Sequence, residues 1–159
     1  MEVATMELSS ILRPAAVKVL ANTSSKKRLF QDLGDIVSGC YGLDSGEAFA
    51  ALQQRESLGP TGVGHGVALP HARLAGLDGV VGAFIRIEKP LDFEAVDRQP
   101  VDLVFALFAP DGSGVDHLKA LALVSRTMRD TDIAAKLRAN DDPDTLYTIL
   151  IEAQGTRAA

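Results

Sequence analysis

VDLVFALF, residues Val101 to Phe108, is the stretch that decides the fold. Apolar side chains occupy both parities of the run, broken only by Asp102. A strand with one wet face alternates; a strand that is apolar at both parities has both faces covered. Upstream, Val80 to Glu88 reads as a second strand, with Phe84, Arg86 and Glu88 on one face and Ile85 and Ile87 on the other. Lys89-Pro90 is expected to end it. Ala15 to Leu20, just after Pro14, reads as a shorter strand, and Val67 to Leu69 as an apolar run stopped by Pro70.

Helical patterns fill the spaces between these runs. Ser24 or Ser25 can cap a helix to about Gly39 that places Leu29, Leu33, Ile36 and Val37 on one face. Asp44-x-x-Glu47 opens a second, to about Glu56, which Gly59-Pro60 stops. After the turn Ala109-Pro110-Asp111-Gly112, Ser113-x-x-Asp116 starts a helix to about Arg129. Thr131 and Asp142-Pro143 begin two more, the last with Leu146, Ile149 and Leu150 inward. Interleaved strands and helices around a doubly covered strand give an α/β class: a single-domain sandwich, with a mixed, mostly parallel sheet flanked by helices on both faces. The domain is expected over residues 7–154, with a disordered tail from Gly155 to Ala159.

Composition narrows the function classes. The 159 residues are 47% hydrophobic and 23% charged, with a net charge of −5. An acidic chain argues against a nucleic-acid partner. The longest basic run, Lys26-Lys27-Arg28, reads as a solvated first helical turn. The single cysteine, Cys40, excludes an intrachain disulfide and a cysteine-based zinc site, and reads as a packed residue. MEVATMELSS is not a secretory signal, and no run approaches the roughly 18 apolar residues of a membrane span. A cytoplasmic location without membrane insertion is expected.

The chemistry concentrates in TGVGHGVALPHARL, Thr61 to Leu74. It lacks the lysine of a P-loop and the spacing of a dinucleotide fingerprint. His65 and His71 have no carboxylate between or beside them, too few ligands for zinc. No G-x-S-x-G elbow is present. A tight loop using positive φ is the plain alternative. The chemical one is a histidine nucleophile: neutral imidazole attacks phosphorus near pH 7, and backbone N–H groups with a guanidinium can hold the phosphoryl oxygens. His71 fits better than His65. Pro70 stiffens the backbone before it, at the end of an expected strand, whereas His65 sits between glycines, with a mobile backbone and an exposed side chain expected.

These residues carry a resemblance. LQQRESLGPTGVGHGVALPHARL (Leu52 to Leu74) resembles the active-site region of IIA proteins of the bacterial phosphotransferase system, mannitol/fructose class, in which R-E precedes [TS]-G-[IV]-G-x-G-[IV]-A-[IL]-P-H. LDFEAVDRQPVDLVFALFAP (Leu91 to Pro110) and HLKALALVSR (His117 to Arg126) agree with it. LSSIL (Leu8 to Leu12) and SSKKRLFQDLGDIV (Ser24 to Val37) are most similar to the nitrogen-regulatory branch. The resemblance implies that His71 is phosphorylated, with His117 and Arg55 as active-site partners. Thr61, Gly62, Gly64 and Gly66 are expected to shape the phosphoryl pocket. It implies an HPr-like phosphocarrier as donor and downstream regulatory proteins (of kinase or transporter type) as targets, in nitrogen, potassium or carbon control, with no cofactor and no metal. Leu69, Leu74 and the Gly59 to Gly66 loop are candidates for the partner face. The family's position equivalent to His65 often carries Asn, and Ala72 stands where Gly is frequent. Three other readings are a sugar-specific IIA passing phosphoryl to a IIB domain or permease, a regulatory module that no longer carries phosphate, and a metal-binding enzyme.

Overall fold

The computed structural model describes residues 6–112 and 114–158, with side chains through residue 152. Ser113, expected to open a helix, lies outside the described residues, as do the side chains and terminus of the expected tail, Gly155 to Ala159. The six strands are β1 (Leu12–Leu20), β2 (Gly62–Gly64), β3 (Val67–Ala68), β4 (His71–Leu74), β5 (Val81–Leu91) and β6 (Val101–Pro110). They form one sheet in the order β1-β5-β6-β3-β2, with β4 also paired to β6. The pairings β1–β5, β3–β6 and β4–β6 are parallel; β5–β6 and β2–β3 are antiparallel. The sheet is therefore mixed and mostly parallel, as the sequence predicts.

Strand β6 is the keel. Its interior residues Leu103 to Ala109 are all buried, and because neighbours on a strand point to opposite faces, both faces are covered. Helices α2 (Lys26–Tyr41) and α3 (Ser45–Ser57) pack on each other, α2 also on β1 and β5, α3 on β4. Helices α4 (Val115–Arg129), α5 (Thr131–Arg138) and α6 (Pro143–Ala158) form the other group, joined to the sheet through β6 and β1. A short helix not expected from the sequence, α1 (Leu8–Ile11), packs against α6 and β1.

The caps follow the expected chemistry. Ser25 Oγ accepts the Arg28 amide at 3.0 Å and Asp44 Oδ1 the Glu47 amide at 2.9 Å. Asp130 caps α5, and Pro143 opens α6 where no amide donor is needed. The prolines held to bound strands do not end them. Pro14 lies inside β1, an edge strand whose register with β5 shifts between Leu12 and Val17. Pro90 lies inside β5 where its register with β6 shifts between Arg86 and Leu91. Edges and irregular ladder positions spare the amide that proline lacks.

Two further differences concern the glycine-rich stretch. β2 and β3 form a hairpin whose connecting pair, His65 and Gly66, has φ of 56° and 78°. Two positive values define a two-residue turn that matches strand twist, and Asn or His followed by Gly suits it. The backbone of His65 is not loose: its amide donates to Asp97 at 2.9 Å and its carbonyl accepts from Arg138 at 2.7 Å. The second difference is that β3 and β4 lie along β6 in one unchanged register, Val67 opposite Leu103 and His71 opposite Leu107, interrupted only at Leu69-Pro70. His71 therefore opens a strand rather than following the end of one.

Gly34 on α2 admits the start of α3: a Cβ there would lie 2.7 Å from the Ser45 carbonyl oxygen. Gly34→Ala is expected to destabilise the fold by about 1–3 kcal/mol, read as a lower urea midpoint with unchanged slope. His65→Asn should be near neutral in the same measurement, while His65→Val should cost about 1–2 kcal/mol for forcing a β-branched residue to positive φ.

Candidate functional site

An open cavity of about 410 Å³ is lined by Ala51, Gln54, Arg55, Leu58, His71, Ala72, Arg73 and His117. The spacing of the first three is a single face of α3, continued by Leu58 at its C-cap; Ala48 and Leu52 point to the core instead. His71 and Arg73 alternate with the buried Ala72 and Leu74 along β4. His117 comes from the first turn of α4. Three elements distant in sequence thus meet at one opening, and His71, His117 and Arg55 are brought together.

The imidazoles of His71 and His117 are 5.6 Å apart between centroids and inclined at 73°. His71 Nδ1 lies 2.8 Å from the Leu69 carbonyl oxygen. A carbonyl only accepts, so Nδ1 carries the proton and Nε2 keeps its lone pair. His117 Nδ1 faces the Nε–H of Arg73 across a long 3.4 Å bond. That places the proton of His117 on Nε2, which is buried and without a partner among the described residues. Leaving a buried donor unsatisfied costs about 1–3 kcal/mol, a cost concentrated beside the nucleophile candidate.

Burial and neighbouring charge favour the neutral form of both rings. Burial pushes the His71 pKa below the ordinary value of 6.5; the Arg55 charge pushes the same way, against the Leu69 hydrogen bond and Glu56. His117 is lowered by burial, then by His71 and Arg73. Arg55 also donates to the Gly59 carbonyl at 3.1 Å, which closes the end of α3.

Other expected site residues lie elsewhere. Thr61, Gly62, Gly64 and Gly66 do not line this cavity. Thr61 is bound to the Glu56 carboxylate, Gly62 packs against Ala95, Gly64 against Asp97, and Gly66 against Arg138 and Asp102. The glycines seat the hairpin on its neighbours. Leu69 and Leu74 are core residues, 6% and 8% exposed; Leu74 is turned inward by its pairing with β6. The exposed apolar side chains beside the site are Leu58, at 80%, and Leu118, at 68%, next to His117. Lys26 is not solvated: it pairs with Glu56 at 2.9 Å and covers the Phe93 ring at 4.7 Å. Arg73 is the charged cavity residue the sequence reading missed, beside Ala51, Gln54 and Leu58; a strand beginning at His71 would have put it on the same face two residues on. Among the described residues, no group of three or more His, Cys, Asp or Glu is arranged to hold a metal ion.

A histidine with one unprotonated ring nitrogen, a second histidine and a guanidinium lining the same opening form a site whose charge and donors suit an anion. The model described as phosphoenolpyruvate-dependent sugar phosphotransferase system, EIIA 2, matches residues 10–153, and the chain belongs to that family. A nitrogen regulatory protein of Bradyrhizobium diazoefficiens is 44% identical over 153 residues, covering 96% of this chain and 100% of the relative. The crystal structure of nitrogen regulatory protein IIA-Ntr from Neisseria meningitidis superposes with a TM-score of 0.82 at 35% identity, covering 90% of this chain and 98% of that one. A fructose-specific EIIA component of Haloferax volcanii is 35% identical over 109 residues, 69% of this chain and 71% of the relative.

The lowered imidazole pKa values fix a sign for stability. Between the folded values and 6.5 the unfolded chain binds more protons, so stability falls as pH drops through that window and levels off below it. Urea unfolding from about pH 8 to about pH 5 should show a smaller loss for the His71→Gln/His117→Gln double variant than for the wild type.

Proposed function

We propose that this chain is a phosphocarrier in which His71 accepts a phosphoryl group from the phosphohistidine of an HPr-like carrier protein. The observation that carries the reading is the tautomer of His71: Nδ1–H is spent on the Leu69 carbonyl, which leaves Nε2 as the nucleophile at the cavity. The Nε2 lone pair attacks phosphorus as the donor's N–P bond breaks, and the donor ring leaves neutral when its other nitrogen is protonated. The Nδ1 proton stays on His71, and the Leu69 oxygen stabilises the positive charge that develops on the ring. His117 Nε2–H and the Arg55 guanidinium supply donors to the phosphoryl oxygens, and the first turn of α4 favours the same charge. No cofactor takes part in the transfer. Exposed Leu58 and Leu118 give the carrier an apolar rim on which to dock.

The match to nitrogen regulatory relatives along nearly their whole length favours a regulatory output, in which phosphorylation state controls other proteins of nitrogen, potassium or carbon metabolism. The shorter match to a fructose-specific component supports the second reading, delivery to a IIB domain or permease. A module without phosphate is disfavoured by the shared cavity of His71, His117 and Arg55. No helix among the described residues is long and apolar enough to cross a membrane, which suits a cytoplasmic carrier.

Intact mass after incubation with phosphorylated carrier should show one acid-labile phosphoryl group on the wild type and none on His71→Ala. Phosphate persisting on that variant would move the nucleophile elsewhere; none on either protein would return the chain to the binding module. His117→Ala should fold and transfer roughly a hundredfold more slowly, the scale for losing one donor to a developing anion. Unfolding of that variant would make His117 structural.

A further inference from the structure

The buried carboxylate of Glu56 has three donors. Thr61 N–H donates to Oε2 at 3.0 Å, the Thr61 hydroxyl to Oε1 at 2.6 Å, and Lys26 Nζ to Oε2 at 2.9 Å. The Glu56 side chain is 8% exposed. So many charge-assisted bonds hold a buried group in one place. Thr61 in turn is the acceptor for Leu69: the Leu69 amide donates to the Thr61 carbonyl at 3.0 Å. The next carbonyl, that of Pro70, accepts the Leu107 amide at 2.9 Å. The Leu69 carbonyl is therefore fixed from both sides, and it is the group that accepts His71 Nδ1–H.

We infer that Glu56 is a positioning residue for His71, acting through Thr61 and Leu69 to set which ring nitrogen is free. Glu56 does not line the cavity and touches no reacting atom. It joins the helix that carries Arg55 to the strand line that carries His71, so one carboxylate indexes the two against each other. Lys26 pairs with the same carboxylate and balances its charge inside the fold. The inference rests on the phosphocarrier reading for its functional consequence, though not for its structural one.

The test uses the full chain with labelled imidazoles, followed by ¹H–¹⁵N spectroscopy above the titration of His71, together with transfer rates from phosphorylated HPr-like carrier. The wild type should show the Nδ1–H tautomer. Glu56→Ala should populate the Nε2–H form and slow transfer roughly tenfold to a hundredfold, the scale for a misaligned reactant. Glu56→Gln, which keeps an acceptor for Thr61, should restore the wild-type tautomer and most of the rate. An unchanged tautomer in Glu56→Ala, whatever its rate, overturns the inference, and so does Glu56→Gln behaving like Glu56→Ala. Should Glu56→Ala not fold, Thr61→Val against Thr61→Ser decides: Val is expected to mix the tautomers and Ser to retain one, and no difference from wild type in Val overturns it. A wild type that takes no phosphoryl group defeats the phosphocarrier reading alone, since the tautomer populations still report on Glu56.

Discussion

The site depends on a break in a strand. β3 and β4 follow one register along β6, and the ladder is interrupted at Leu69-Pro70, where proline has no amide to give. The Leu69 amide holds the Thr61 carbonyl while the Thr61 amide turns to Glu56, so the Leu69 carbonyl is fixed in place yet has no strand partner. An imidazole two residues later can then spend its proton on that oxygen, and its other nitrogen emerges at the cavity. A regular strand would commit the carbonyl to a neighbour, and a loop would leave it unfixed.

Around that break the packing is conservative. β6 is covered on both faces; α4, packed on β6, brings His117 to the cavity, and α3, packed on β4, brings Arg55. The polar side chains cost stability where they are needed. A buried ring nitrogen of His117 with no partner among the described residues, and two imidazoles whose pKa values are lowered by burial, are carried by the large core beneath them. The glycine-rich hairpin is part of this support. Its tip is fastened to Asp97 and, through Arg138, to Asp102, at some remove from the cavity its sequence evokes.

Much of this was legible in the residues. Apolarity at both parities exposed β6, serine and aspartate caps marked α2 and α3, and the motif around His71 with Arg55 and His117 named the three side chains that meet. What escaped reading has a physical reason in each case. β4 is four residues long, begins after a proline and contains an arginine, so alternation had no length in which to show. Leu69 and Leu74 read as a partner surface because apolar residues beside the motif histidine look exposed until the tertiary packing is known. Lys26 read as solvated because its partner, Glu56, is 30 residues on. The tautomer of His71 depends on where one carbonyl points, which no residue type encodes.

The pairing of β6 with both β5 and β4 bears on how the protein comes to be active. His71 and Arg55 lie near each other in the chain, but His117 arrives only through β6, which must first insert between strands formed earlier in sequence. Contacts of that range form late, since their loop closure is costly. A chain in which β6 has not yet paired therefore holds His71 and Arg55 without His117. Assembly of the cavity and completion of the sheet become one event, so only the finished molecule brings the three side chains together.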